Sequence, residues 1–175
     1  MNKPLKLGAI LLLLSLSACG WQLRGTGGDA TIEHLHVDAN APDSAFIRVL
    51  ERYLRGSGIA LVDSPNEAQY SLKIITEKSR RRTATVSASA RISERLLEER
   101  IDYLIIRSDG TVAVERTSAT VERIYEYNED NVLATEDEAR LLKSEMYNDL
   151  ARQIANRLRH LKKPLAANSL STSAP

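Results

Sequence analysis

IDYLIIRSDGTVAV, residues 101–114, holds two apolar, β-branched runs on either side of Asp109-Gly110. Asp-Gly is favoured in tight hairpins because glycine enters the left-handed backbone region without a Cβ clash. A two-residue type I′ turn there pairs Ser108 with Thr111 and sets Ile105 opposite Val114 on one face, which predicts an antiparallel hairpin of fixed register. Apolar parity slips between Ile92 and Ile101 and again between Val114 and Val121. The flanking strands are therefore expected to carry bulges that curve the sheet.

Upstream, Tyr70, Leu72, Ile74 and Thr76 share one face at period two, and Val86, Ala88, Ala90 and Ile92 do the same. Lys78, Arg80, Arg81 and Arg82 lie between them, so two strands joined by a basic turn are expected. Leu35 and Val37 alternate with His34 and His36, which predicts a short first strand. Asp43 is placed to N-cap a helix whose Phe46, Ile47, Leu50, Tyr53 and Leu54 fall on one side, with Gly56 or Gly58 closing it. The final element reads most clearly: Thr135 and Glu138 form a capping box, and Ala139, Leu142, Met146, Leu150, Ile154, Leu158 and Leu161 recur every three or four residues. Strand, helix, three strands and helix make an α+β domain, with two helices packed on one face of a curved, mainly antiparallel four-stranded sheet.

The amino terminus carries different information. Lys3 and Lys6 precede the apolar run Leu7 to Leu16, a pattern that fits an export signal and is too short to span a bilayer. Leu16-Ser17-Ala18-Cys19 resembles the bacterial lipobox, in which small residues fit the signal peptidase and the thiol accepts a diacylglycerol. Cys19 is the chain's one cysteine, so no internal disulfide forms. The competing reading of the same residues is an ordinary export signal with an unmodified thiol. The expected organisation is a cleaved signal over 1–18, a lipidated arm over 19–29 rich in Gly25, Gly27 and Gly28, a single domain over 30–163 and a disordered polar tail over 164–175. By resemblance to enterobacterial sorting rules, Gly20 in place of aspartate favours the outer membrane. The chain has 24 Lys and Arg against 23 Asp and Glu. Without Lys3 and Lys6 it carries about one net negative charge, which gives no reason to expect a nucleic-acid partner.

Few residues point to chemistry. His34 and His36 are spaced to aim at one metal, yet no acidic or cysteine cluster near them completes a site. Glu98 and Glu99 are adjacent, so on a strand they face opposite ways and read as solvated side chains. No Gly-x-Ser-x-Gly elbow occurs. No catalytic residue, metal ligand or cofactor is assigned. Lys78, Arg80, Arg81 and Arg82 form the one dense basic run; such side chains either clamp phosphate or carboxylate or keep a hairpin tip soluble. Met146 falls on the apolar stripe of the last helix and reads as core. Trp21 suits a membrane interface or a partner groove.

Cys19-Gly20-Trp21-Gln22-Leu23-Arg24-Gly25 resembles the start of the mature lipopolysaccharide-assembly lipoproteins of the LptE family, which typically open Cys-Gly-Phe-x-Leu-Arg-Gly; here Trp21 stands in place of the phenylalanine. Glu145-Met146-Tyr147 within a helical Leu/Ile face is similar to the family's last helix, and the order of elements agrees. The resemblance implies a non-enzymatic outer-membrane lipoprotein, acylated at Cys19, that partners and plugs the LptD β-barrel. It would assist barrel assembly and deliver lipopolysaccharide to the outer leaflet, with Lys78, Arg80, Arg81 and Arg82 as expected contacts to the glycolipid. A free-standing periplasmic lipid carrier and a cell-wall hydrolase are the rival classes. A carrier needs an apolar cavity between sheet and helices, and a hydrolase needs a convergent catalytic cluster.

Overall fold

The computed structural model describes residues 32–86 and 92–161. The signal segment, Cys19 and its arm, Ala88, Ala90 and the tail lie outside the described residues. In chain order the elements are β1 (His34–Ala39), α1 (Ala45–Gly56), β2 (Ala60–Val62), β3 (Tyr70–Val86), β4 (Ile92–Arg107), β5 (Val112–Glu126) and α2 (Val132–Arg159), with short 3-10 turns at Pro65–Glu67 and Glu129–Asn131.

The sheet has five strands in the order β2-β1-β3-β4-β5, where four were expected. β1 pairs in parallel with both β2 and β3, while β3, β4 and β5 form an antiparallel meander. The additional strand is β2, whose three residues are too few to display a period.

The hairpin closes differently from the expected I′ turn. Gly110 N donates to Arg107 O and Arg107 N donates to Thr111 O, so the loop is the three residues Ser108–Gly110, and Gly110 alone needs a left-handed backbone, at φ +83°. Ile105 still opposes Val114, because Ile106 pairs with Val112 and Ala113 is the extra residue of a bulge. The expected bulges are present: the β3–β4 register shifts near Ile92 to Arg95, and the β4–β5 register shifts between Val114 and Thr117.

A second correction concerns the basic run. No turn occurs at Lys78 to Arg82; β3 passes straight through, pairing Lys78 with Arg100, Arg80 with Glu98 and Arg82 with Leu96. Unbroken pairing to β4 engages the backbone of this stretch on that side, so the local charge does not end the strand. Val86 and Ile92, expected on one strand, instead face each other as the last pair of the β3–β4 ladder.

Helix ends also move by a residue or more. Ser44, not Asp43, caps α1, accepting from Ile47 N at 3.1 Å, and Gly58 rather than Gly56 takes the positive φ, +84°. α2 begins at Val132, so Thr135 lies inside its first turn, where its hydroxyl donates to Asn131 O and accepts from Asn128 N. The expected capping box is therefore not the start of the helix.

One apolar layer lies between the helices and the sheet. Phe46, Ile47, Leu50 and Leu54 of α1 and Met146, Leu150, Ile154 and Leu158 of α2 meet Leu35, Leu72, Ile74, Ile101 and Ile105 of the strands. Each fully buried aliphatic or aromatic side chain contributes about 1.5–3 kcal/mol. Phe46 and Tyr147 join the helices edge to face at 5.7 Å. On the outer edge, two β5 carbonyls are occupied by side chains: Gln153 Nε2 donates to Thr120 O and Arg123 donates to Glu122 O. That blunts the edge against strand addition. Among the described residues no helix is long and apolar enough to cross a membrane.

Candidate functional site

Strand alternation divides the basic run between two faces. Arg81 points to the helix side and grips Glu136 of α2 with two hydrogen bonds, at 2.6 and 3.2 Å. That hydrogen-bonded pairing raises the guanidinium pKa against a smaller opposing effect of burial. Lys78, Arg80 and Arg82 share the parity of the other face, which neither helix covers. The sequence treated the four as one cluster; the pleat brings three together and removes the fourth.

The open face is organised around a buried carboxylate. Asp102 is 3% exposed, and both of its oxygens are engaged. Oδ1 accepts from Arg100 Nε at 2.8 Å and from Ser118 Oγ at 2.7 Å. Oδ2 accepts from Arg116 at 3.3 Å and from Lys78 Nζ at 3.5 Å. The hydrogen bond from Arg100, followed by that from Ser118, holds the carboxyl well below the usual carboxylate range despite burial. One step along, Arg82 bridges Glu98 at 3.0 Å and Glu122 at 3.7 Å. Among the described residues Arg80 has no ion pair. Sequence reasoning missed Asp102, Arg100, Arg116 and Ser118: period-two spacing from Glu98 puts Arg100 and Asp102 on one face of β4, but it gives no sign that Ser118 lies opposite Asp102 or that Arg116 reaches it from the β5 bulge.

A separate polar cluster sits beneath α2. Glu99, read from sequence as solvated, is 2% exposed. It accepts from Ser79 Oγ at 2.5 Å and pairs with Lys143 of α2 at 3.1 Å. Burial opposes charge on Lys143, but the Glu99 hydrogen bond and charge outweigh it and the ammonium pKa is raised. Glu98, by contrast, stays on the open face with Arg82, as adjacency on a strand requires.

The far end of the meander is acidic. Glu94 faces Glu126 across β4 and β5, and with Glu129 and Asp130 they border an open depression of about 480 Å3. His36 Nδ1 lies 3.1 Å from Val62 O and links β1 to β2, while His34 is exposed. Among the described residues no three His, Cys, Asp or Glu side chains are grouped to hold a metal ion.

The chain resembles known proteins in sequence and in fold. The chain is 26% identical over 149 residues to the LPS-assembly lipoprotein LptE of Photorhabdus laumondii, covering 85% of this chain and 81% of that protein. Rare lipoprotein B of Shewanella oneidensis has the same fold at a TM-score of 0.65 and 20% identity, covering 72% of this chain and 93% of that one. A lipoprotein B of Nitrosomonas europaea superposes at 0.68 with 20% identity, covering 80% and 90%. The family model for LptE, described as lipopolysaccharide-assembly, matches residues 32–158, which span all five strands and nearly all of the last helix. The chain belongs to the LptE family of lipopolysaccharide-assembly proteins.

Proposed function

We propose that the chain is a lipid-anchored outer-membrane lipoprotein that partners and plugs the LptD β-barrel, assists its assembly and helps deliver lipopolysaccharide to the outer leaflet. The observation that carries this reading is the family match over the whole described fold, residues 32–158. Membership in that family makes the chain a non-enzymatic component. Three features support the finer statements. The lipobox ending at Cys19 supplies a membrane anchor, and acyl chains there contribute about 0.8 kcal/mol per buried methylene. The exposed side chains are mixed in charge, which suits the polar lumen of a large barrel. The layer between sheet and helices is filled by Leu35, Phe46, Met146 and Leu150, each fully buried, which disfavours a lipid carrier with an apolar cavity at that place. Contact between the glycolipid phosphates and the basic segment at Lys78, Arg80, Arg81 and Arg82 belongs to this proposal, with Arg81 approaching only from the α2 side.

The test is purification from membranes in mild detergent, with mass spectrometry of the mature amino terminus and of whatever co-purifies. Acylated Cys19 and stoichiometric LptD are expected. An unmodified Cys19 removes the anchor, and the absence of any barrel removes the partnership.

A further inference from the structure

We infer that the open sheet face around Lys78, Arg80, Arg100 and Arg116 is a docking surface for the phosphate groups of the glycolipid. This rests on the lipopolysaccharide role proposed above and adds Arg100 and Arg116, which belong to no basic run in the sequence.

The argument is one of depth. The side chains of Lys78, Arg82, Arg100 and Arg116 are 43%, 59%, 43% and 60% exposed, whereas those of Asp102 and Glu98, which balance them, are 4% and 14% exposed. The acids lie in the floor and the cations form the roof, so an approaching molecule meets donors first. Asp102 also fixes the geometry: by taking Arg100 Nε, one Arg116 nitrogen and Lys78 Nζ on its two oxygens, it sets three head groups side by side. Each guanidinium carries five N–H donors and spends only part of them inward, leaving forks that match a phosphate oxygen pair. Arg80, paired in register with Glu98 on the neighbouring strand, extends the same surface. Helix covers none of it.

The charge pattern also limits where the anion sits. Glu122 is half exposed on β5, and Glu94 faces Glu126 farther along, with Glu129 and Asp130 at the same end. Repulsion from these acids keeps an anion over Lys78, Arg100 and Arg116. Phosphate is favoured over the carboxylates of a protein partner because the donors are forked guanidiniums gathered around one carboxylate and bounded by acids.

The test uses the full chain in mild detergent and purified lipopolysaccharide, with dephosphorylated lipopolysaccharide and inorganic phosphate as competitors. Arg80→Gln/Arg116→Gln should weaken binding about tenfold or more, since two charge-assisted contacts are lost, and the deficit should shrink as salt rises. Arg55→Gln, on the outer side of α1, should bind within about twofold of the parent. If the double variant melts early, Arg80→Gln alone, which breaks no ion pair among the described residues, carries the same test at a smaller effect. Inorganic phosphate should compete weakly and the dephosphorylated glycolipid hardly at all. Equal binding by parent and variant overturns the assignment, as does full competition by the dephosphorylated glycolipid. Normal glycolipid binding with loss of LptD on co-purification overturns it in favour of a protein carboxylate surface. A parent chain that binds no lipopolysaccharide removes the functional reading itself.

Discussion

Lys143 of α2 and Glu99 of β4 form an ion pair at 3.1 Å that pins the long helix across the meander, with Ser79 bonded to both. Glu99 is almost wholly buried and Lys143 supplies its only cation among the described residues. Lys143→Met leaves a buried carboxylate without a counter-charge, a change that costs about 3–5 kcal/mol. The double variant Lys143→Met/Glu99→Gln should recover a large part of that loss. Chemical denaturation of the parent, the two single variants and the double variant measures the coupling; additive losses would mean that the pair does not act as a unit.

Asp102 makes a pH prediction. Its folded pKa is depressed, chiefly by Arg100 and then by Ser118, so its contribution is present above the unfolded carboxylate pKa of about 3.9 and is lost as pH falls toward the folded value. The stability gap between parent and Asp102→Asn should therefore stay level from neutral pH to about pH 5 and narrow below it. Denaturation curves at a series of pH values check this, and a gap that widens on acidification contradicts the arrangement of cations around the carboxylate.

Leu150 is fully buried between α2 and the sheet, while Leu141, on the same helix, is 65% exposed. Leu150→Asp should unfold the domain or lower its stability by about 3 kcal/mol or more. Leu141→Asp should change it by no more than about 0.5 kcal/mol. Thermal melts of the two variants separate the buried stripe from the outer one.

Gly110 closes the β4–β5 hairpin at φ +83°, with open space where a Cβ would stand. Gly110→Ala therefore meets no clash with neighbours, only backbone strain of about 1–2 kcal/mol. A loss within that range, with glycolipid binding unchanged, is the expected result in melts and binding assays.

How much of this was legible can be argued from particular residues. The β4–β5 register was readable because Ile105 and Val114 carry the apolar pattern, even though the loop has three residues and a bulge at Ala113 restores the pairing. The α2 stripe was readable because Met146, Leu150, Ile154 and Leu158 repeat at helical spacing. The basic run was misread because no apolar side chain between Lys78 and Arg82 displays a period; only the β4 partners Arg100 to Leu96 reveal a strand. Glu99 could not be read as buried, since the cation that makes burial tolerable comes from a helix far along the chain. Asp102 was hidden for the same reason: its stabilising donors come from β3, β4 and β5 at once. Sequence periodicity reports a residue's own face, and it is silent on which distant charge that face will meet.

The proposed barrel partnership makes a geometric demand. A plug is surrounded by wall, so polar contacts must be spread over several faces, whereas a subunit docked at the rim uses one. Three positions sample different sides of the fold: Leu133 at the start of α2, 74% exposed; Arg80 on the open sheet face; and Asp109 at the hairpin turn. Photocrosslinking residues at Leu133 and Asp109 should capture LptD if the chain is enclosed, and one at Arg80 reports whether the barrel wall or the glycolipid covers the open face. Single substitutions at these exposed sites should leave assembly intact, because no one of them carries the interface, while paired charge reversals on two faces should disturb it. Crosslinks from Leu133 and Asp109 without Arg80 would fit enclosure with the open face turned to glycolipid. Crosslinks from one position alone would reduce the plug to a peripheral subunit, and none from any would leave the free lipid carrier as the better reading.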